Sequence, residues 1–112
     1  MWQWYQEQAK EVFGVRVFYY ARLMQESPRD ILIRKQKCIW GCCDKRRGVI
    51  SLNWQLIQAP MWVIDYVIVH ELAHLKHANH SQRFWNRVAK FFPEYGHAKQ
   101  WLRDHQVDIT LT

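Results

Sequence analysis

At 112 residues the chain has the length of one domain, residues 1–112, and no room for a second. Hydrophobic residues make up 49% of it and aromatic residues 15%, seven of them Trp, which excludes a disordered polymer. The formal charge of +6 admits phosphate-rich partners by electrostatic steering without requiring them.

The N-terminus, Met1-Trp2-Gln3-Trp4-Tyr5, lacks the basic start and apolar stretch of a signal peptide. From Trp4 to about Gln25 the apolar residues Tyr5, Ala9, Val12, Phe13, Val17, Tyr20, Ala21 and Met24 recur with helical spacing. This predicts a long first helix, with Gly14 as the expected bend or break. Ser27-Pro28-Arg29-Asp30 ends it, because Pro28 biases Ser27 away from helix.

A β-rich stretch follows. Ile31-Leu32-Ile33 opens it, and Cys38-Ile39-Trp40 is expected as a second strand interrupted at Gly41. Asp44 to Gly48 is a polar turn. Val49 to Trp54 then alternates as a third strand, with Ile50, Leu52 and Trp54 on one face. Three cysteines, two of them adjacent, make a poor secreted disulfide scaffold. Cys38, Cys42 and Cys43 are expected as reduced, partly buried thiols in a cytoplasmic protein. Residues 34–47 carry Arg34, Lys35, Lys37, Lys45, Arg46 and Arg47 against Asp44 alone. Such a patch suits nucleotide or weak nucleic-acid contact, or a solvated strand margin.

A further helix starts near Pro60, where the missing N–H costs nothing. The apolar run from Met61 to Val69 is broken by Asp65 and is too short to span a bilayer, so no membrane partner is expected. Met61, Ile64, Val67, Ile68 and Leu72 are expected to pack on the sheet, with Asn79 ending this helix. Ser81 caps the next helix, whose Phe84, Trp85, Val88, Phe91 and Phe92 supply core contacts. Pro93 breaks it, and a last helix covers Glu94 to about His105.

His70-Glu71-Leu72-Ala73-His74 is an HExxH element inside the apolar helix. Residues four apart lie on one helix face, so two imidazoles there can share one Zn2+ ion. Glu71 then lies near a metal-bound water and can take its proton. A catalytic zinc takes three protein ligands, and His80 is the expected third, at the HExxHxxxxxH spacing of metzincins. His77 stands where that class has glycine and is the rival ligand, with Glu94, His97 and His105 behind it. Asp65, Asp104, Asp108 and Glu94 are candidate partners for the second ring nitrogen of a ligand histidine. Tyr95 and His97 are candidate oxyanion stabilisers.

His70 to His77, with Asn79-His80-Ser81 and Phe84-Trp85, resembles the YgjP-like metallopeptidase domain family of predicted metal-dependent hydrolases. The likeness extends through Gly48 to Trp54, Ile64-Asp65-Tyr66-Val67, and Trp40-Gly41 with Cys43, covering nearly everything from Tyr5 onward. The resemblance implies an α+β, zincin-like fold related to the SprT and WLM groups. Its parts would be a long N-terminal helix, a small three-stranded sheet, the HExxH helix and C-terminal helices. It carries over His70, His74 and His80 as ligands and Glu71 as base. It also implies an edge strand near Val49 to Asn53 lining the cleft, where an extended peptide can pair. Ile39-Trp40-Gly41-Cys42-Cys43 departs from the family's Arg-Trp-Gly-Ser-Cys, losing a charged anchor and a hydroxyl.

The leading expectation is a zinc metallopeptidase acting on a peptide or protein substrate. The first alternative is a UTP pyrophosphatase, an activity the resemblance brings with it, using basic side chains around the triphosphate. The second is a SprT-like nucleic-acid-associated protease or binding module, with Trp40 or Trp54 stacking on bases.

Overall fold

The computed structural model describes residues 2–34, 39–105 and 110–111. Lys35, Lys37, Cys38 and Asp108 lie outside the described residues, as does the side chain of Tyr5. Helix α1 (Trp2–Met24) is followed by β1 (Asp30–Arg34), β2 (Ile39–Asp44) and β3 (Val49–Asn53). A short 3₁₀ turn, Trp54–Gln58, leads into α2 (Met61–His74), α3 (Gln82–Phe91), α4 (Tyr95–His105) and a two-residue β4 (Thr110–Leu111). The fold is α+β, as expected.

Helix α1 runs unbroken through Gly14, contrary to the expected bend. Phe13 and Val17 on either side are buried, and that packing holds the helix through its weakest residue. Its inner stripe is Ala9, Phe13, Val17, Tyr20, Ala21 and Met24. Gln25 ends it in the left-handed region (φ 57°), while the Glu26 N–H donates to the Ala21 carbonyl at 2.9 Å.

The sheet order is β1-β3-β2-β4. β1 pairs parallel with β3, in register Ile31 with Ile50 and Ile33 with Leu52. β2 pairs antiparallel with β3, Asp44 against Val49 and Gly41 against Leu52. β2 therefore continues through Gly41 instead of breaking there. The hairpin turn closes on Gly48, whose φ of 70° suits glycine and whose N–H donates to the Asp44 carbonyl at 2.8 Å. β4 adds a fourth strand to the three expected, parallel to β2 and paired at Ile39 and Gly41. Cys42 and Cys43 are free and half-buried, as read from the sequence.

Helix α2 is the hub, packed against α1, β2, α3 and α4. Every residue from Val63 to His74 is buried. Met61, expected in the core, is 48% exposed because it sits on the open first turn. Arg16 of α1 clamps Asp65 of α2 with two hydrogen bonds, 2.8 and 2.7 Å. The helix stops at His74, not Asn79. N–H groups of Lys76 and His77 both reach the Ala73 carbonyl (3.1 and 3.0 Å), tightening the end. Ser81 caps α3, its hydroxyl accepting from the Phe84 N–H at 3.3 Å. Arg87 of α3 bonds Glu26 at 2.8 Å and the Met24 carbonyl, tying α3 to the end of α1. No helix among the described residues is long and apolar enough to cross a membrane.

Candidate metal centre

Three imidazoles converge where α2 ends and α3 begins. His70 and His74 stand one turn apart on the last turns of α2, and the early end of that helix lets residues 75–80 turn back. His80 Nε2 lies 3.1 Å from His74 Nε2 and 3.3 Å from His70 Nε2. A tetrahedral zinc with bonds of about 2.0–2.1 Å places its nitrogen ligands about 3.3 Å apart. The three rings thus have the spacing of one metal's ligand set, and His70, His74 and His80 form a group able to hold an ion. The site also lies at the negative end of the α2 dipole, which favours a cation.

The rings are held from behind. Phe84, fully buried, lies 4.9, 4.5 and 5.0 Å from the ring centres of His70, His74 and His80, a dry floor under all three. Trp85 stacks on His80 at 5.9 Å, and Tyr95 stacks on Trp85 at 5.2 Å. With each Nε2 turned to the metal position, the His74 Nδ1–H donates to the His77 carbonyl at 3.1 Å. The His70 Nδ1–H likewise donates to the Tyr66 hydroxyl at 3.2 Å. Burial, with Glu71 and Tyr95 nearby, pushes the Tyr66 phenol up, so it remains a neutral partner.

None of the acids named as second-nitrogen partners takes that role among the described residues. Asp65 is engaged by Arg16, Glu94 pairs with exposed His97 at 3.3 Å, and Asp104 accepts from Gln100. Tyr66 and the His77 carbonyl stand there instead. Of the rival ligands, His77 contributes its carbonyl, and His105 bonds the Trp101 carbonyl at 2.8 Å. Tyr66 was missed although it lies four residues before His70, on the same face; a phenol is a less usual partner than a carboxylate.

Glu71 is fully buried. Gly41 of β2 lies against it so closely that a Cβ there would sit 3.1 Å from Glu71 Oε2 and 3.0 Å from Val67 Cγ1. The strand at the site is therefore β2. The expectation that Val49 to Asn53 forms the cleft edge is overturned, because β1 pairs with all five β3 residues on one side and β2 covers the other. Trp40, offered as a base-stacking residue, is only 7% exposed and belongs to the core. The basic residues Arg34, Lys45, Arg46 and Arg47 are exposed, and Lys45 donates to the Lys76 carbonyl at 3.2 Å.

An HExxH helix whose two histidines meet a third imidazole, with a buried glutamate beside them, defines the class of metal-dependent hydrolases. Within that class the chain belongs to the YgjP-like family, metallopeptidase domain, which it matches over residues 1–105. It is also similar to the crystal structure of the metallopeptidase zymogen of Pyrococcus abyssi abylysin. The two share 25% identity over 98% of this chain and 100% of that one, with a TM-score of 0.67. No curated protein matches the chain.

Proposed function

We propose that His70, His74 and His80 hold one Zn2+ ion and that Glu71 is the general base of peptide-bond hydrolysis. The observation that carries this reading is the spacing of the three Nε2 atoms beside a buried carboxylate. Bound there, zinc would supply Lewis acidity to the scissile carbonyl and to the attacking water. Glu71 takes the proton from the attacking water and passes it to the leaving amine. Phe84 keeps water away from the back of the imidazoles, and Tyr66 and the His77 carbonyl fix which ring nitrogen carries the proton.

An extended peptide fits this site better than a compact substrate, since β2 presents backbone beside Glu71. Among the described residues β4 takes the β2 positions Ile39 and Gly41, and Cys42 to Asp44 lie beyond it for such pairing. The nucleotide reading has less behind it: Arg34, Lys45, Arg46 and Arg47 are exposed, and no described contact directs them to the imidazoles. An odd number of cysteines with two adjacent, a poor disulfide scaffold, supports a reducing compartment, hence the cytoplasm, for a single-domain enzyme.

The test is Glu71→Gln. The variant is expected to keep one zinc per chain while peptide turnover falls about 10²–10⁴-fold. His74→Ala should lose metal and activity together. Metal content and cleavage of a panel of peptides, unfolded protein and nucleoside triphosphates decide the matter. Full peptide turnover in Glu71→Gln removes the mechanism, and Glu71-dependent release of phosphate from UTP moves the substrate to nucleotides.

A further inference from the structure

Helix α1 has two apolar faces, and the fold uses one of them. Opposite the buried stripe, Val15, Phe18, Tyr19 and Leu23 stand 63%, 64%, 52% and 49% exposed. Residues three, four and eight apart share a helix face, so the four side chains form one continuous strip. Single exposed apolar residues are ordinary; a contiguous strip of large ones marks an interaction surface.

The charges bordering the strip say what covers it. Exposed Glu7 and Glu11 precede the strip, and exposed Arg22 lies within it, its guanidinium 5.6 Å from the centre of the Phe18 ring. Positions 11, 15, 18 and 22 are spaced four, three and four apart, the seam spacing of a helix pair. That spacing is identical when read backwards. A two-fold axis between residues 16 and 17 therefore sets Val15 of one chain against Phe18 of a second, twice. The same axis sets Glu11 against Arg22, also twice. A parallel pair would place Glu11 beside Glu11 and Arg22 beside Arg22, which like-charge repulsion opposes. An anionic membrane would meet Glu7 and Glu11 at one end of the strip. We propose that this face of α1 binds the same face of a second copy of the chain, antiparallel, forming a homodimer. The strip lies across α1 from the side that packs on α2, so pairing there needs no change at the imidazoles.

Sedimentation of the 112-residue chain across a dilution series tests this, with circular dichroism to confirm the fold of each variant. The wild type is expected to dimerise, and Phe18→Glu to weaken the dimer at least about tenfold. Glu11→Arg and Arg22→Glu should each weaken it, and the double swap should restore it, because the pairing is reciprocal. Should Phe18→Glu fail to fold, Leu23→Lys serves in its place. A wild type that stays monomeric throughout overturns the proposal. So does a dimer indifferent to Phe18→Glu, or a double swap that fails to rescue. Binding of monomeric protein to phosphatidylglycerol vesicles, lost in Phe18→Glu, assigns the face to a membrane and also overturns it.

Discussion

Tyr66 shows how a side chain outside the HExxH element can orient a proposed metal ligand. Its hydroxyl meets His70 Nδ1 at 3.2 Å inside a fully buried helical stretch, where no water competes for that hydrogen bond. Removing an outer partner of a metal-binding histidine costs roughly 10–100-fold in metal affinity. Tyr66→Phe keeps the ring and its packing against Phe92, so the fold should survive while the zinc dissociation constant rises by that factor. Competition with a chromophoric chelator measures it, and an unchanged constant would show that the phenol does not orient His70. At this scale the sequence is informative wherever chemistry is local. His70, Glu71 and His74 are a one-turn pattern, and the six-residue step to His80 is short enough to weigh. Partners of the second nitrogens were not legible, because the candidate acids are claimed by distant groups such as Arg16, 49 residues from Asp65.

Between elements, the decisive contact is β2 on α2. The turn chemistry of Asp44 to Gly48 and the cap at Ser81 are local signals, and both elements formed as read. Strand order is a different kind of fact. Alternation in Val49 to Asn53 says that a strand has a core face; it does not say that β1 will add parallel to it and enclose it. The cleft strand was misplaced for that reason. The same contact explains Gly41, which sequence alone presents as a strand breaker. Its missing Cβ lets the β2 backbone approach Glu71 and Val67, so the glycine positions the proposed base. Gly41→Ala should push Glu71 by a few tenths of an ångström, lowering kcat about 10–100-fold with zinc stoichiometry and KM little changed. Titrated metal content and steady-state kinetics separate these quantities. A variant that loses zinc as readily as turnover would reveal a merely structural glycine.

For the whole molecule, burying several weakly acidic side chains makes stability depend on alkaline pH. Burial first, then the nearby Glu71 carboxylate, raises the Cys43 thiol from its ordinary 9.0 to about 12. Burial also raises Tyr66 and Tyr20 above 10.0. A folded group with a raised acid pKa keeps its proton after the unfolded group has lost it. The folded state then binds more protons than the unfolded one, so stability falls as pH rises. For Cys43 the loss begins near 9 and is complete near 12, and nothing is lost at neutral pH. The two tyrosines add to the same decline from about 10 upward. Melting temperatures of wild type and Cys43→Ala, compared at pH 8 and then across the alkaline range, isolate the thiol's part. Ala cannot ionise, so the variant should lose less of its melting temperature between those conditions, even if it starts lower for want of the sulfur's packing. Equal losses in the two proteins would mean that the thiol is solvated enough to titrate alike in both states. In the folded protein at pH 8 the protonated thiol should also alkylate slowly with iodoacetamide, since the thiolate is the reactive form.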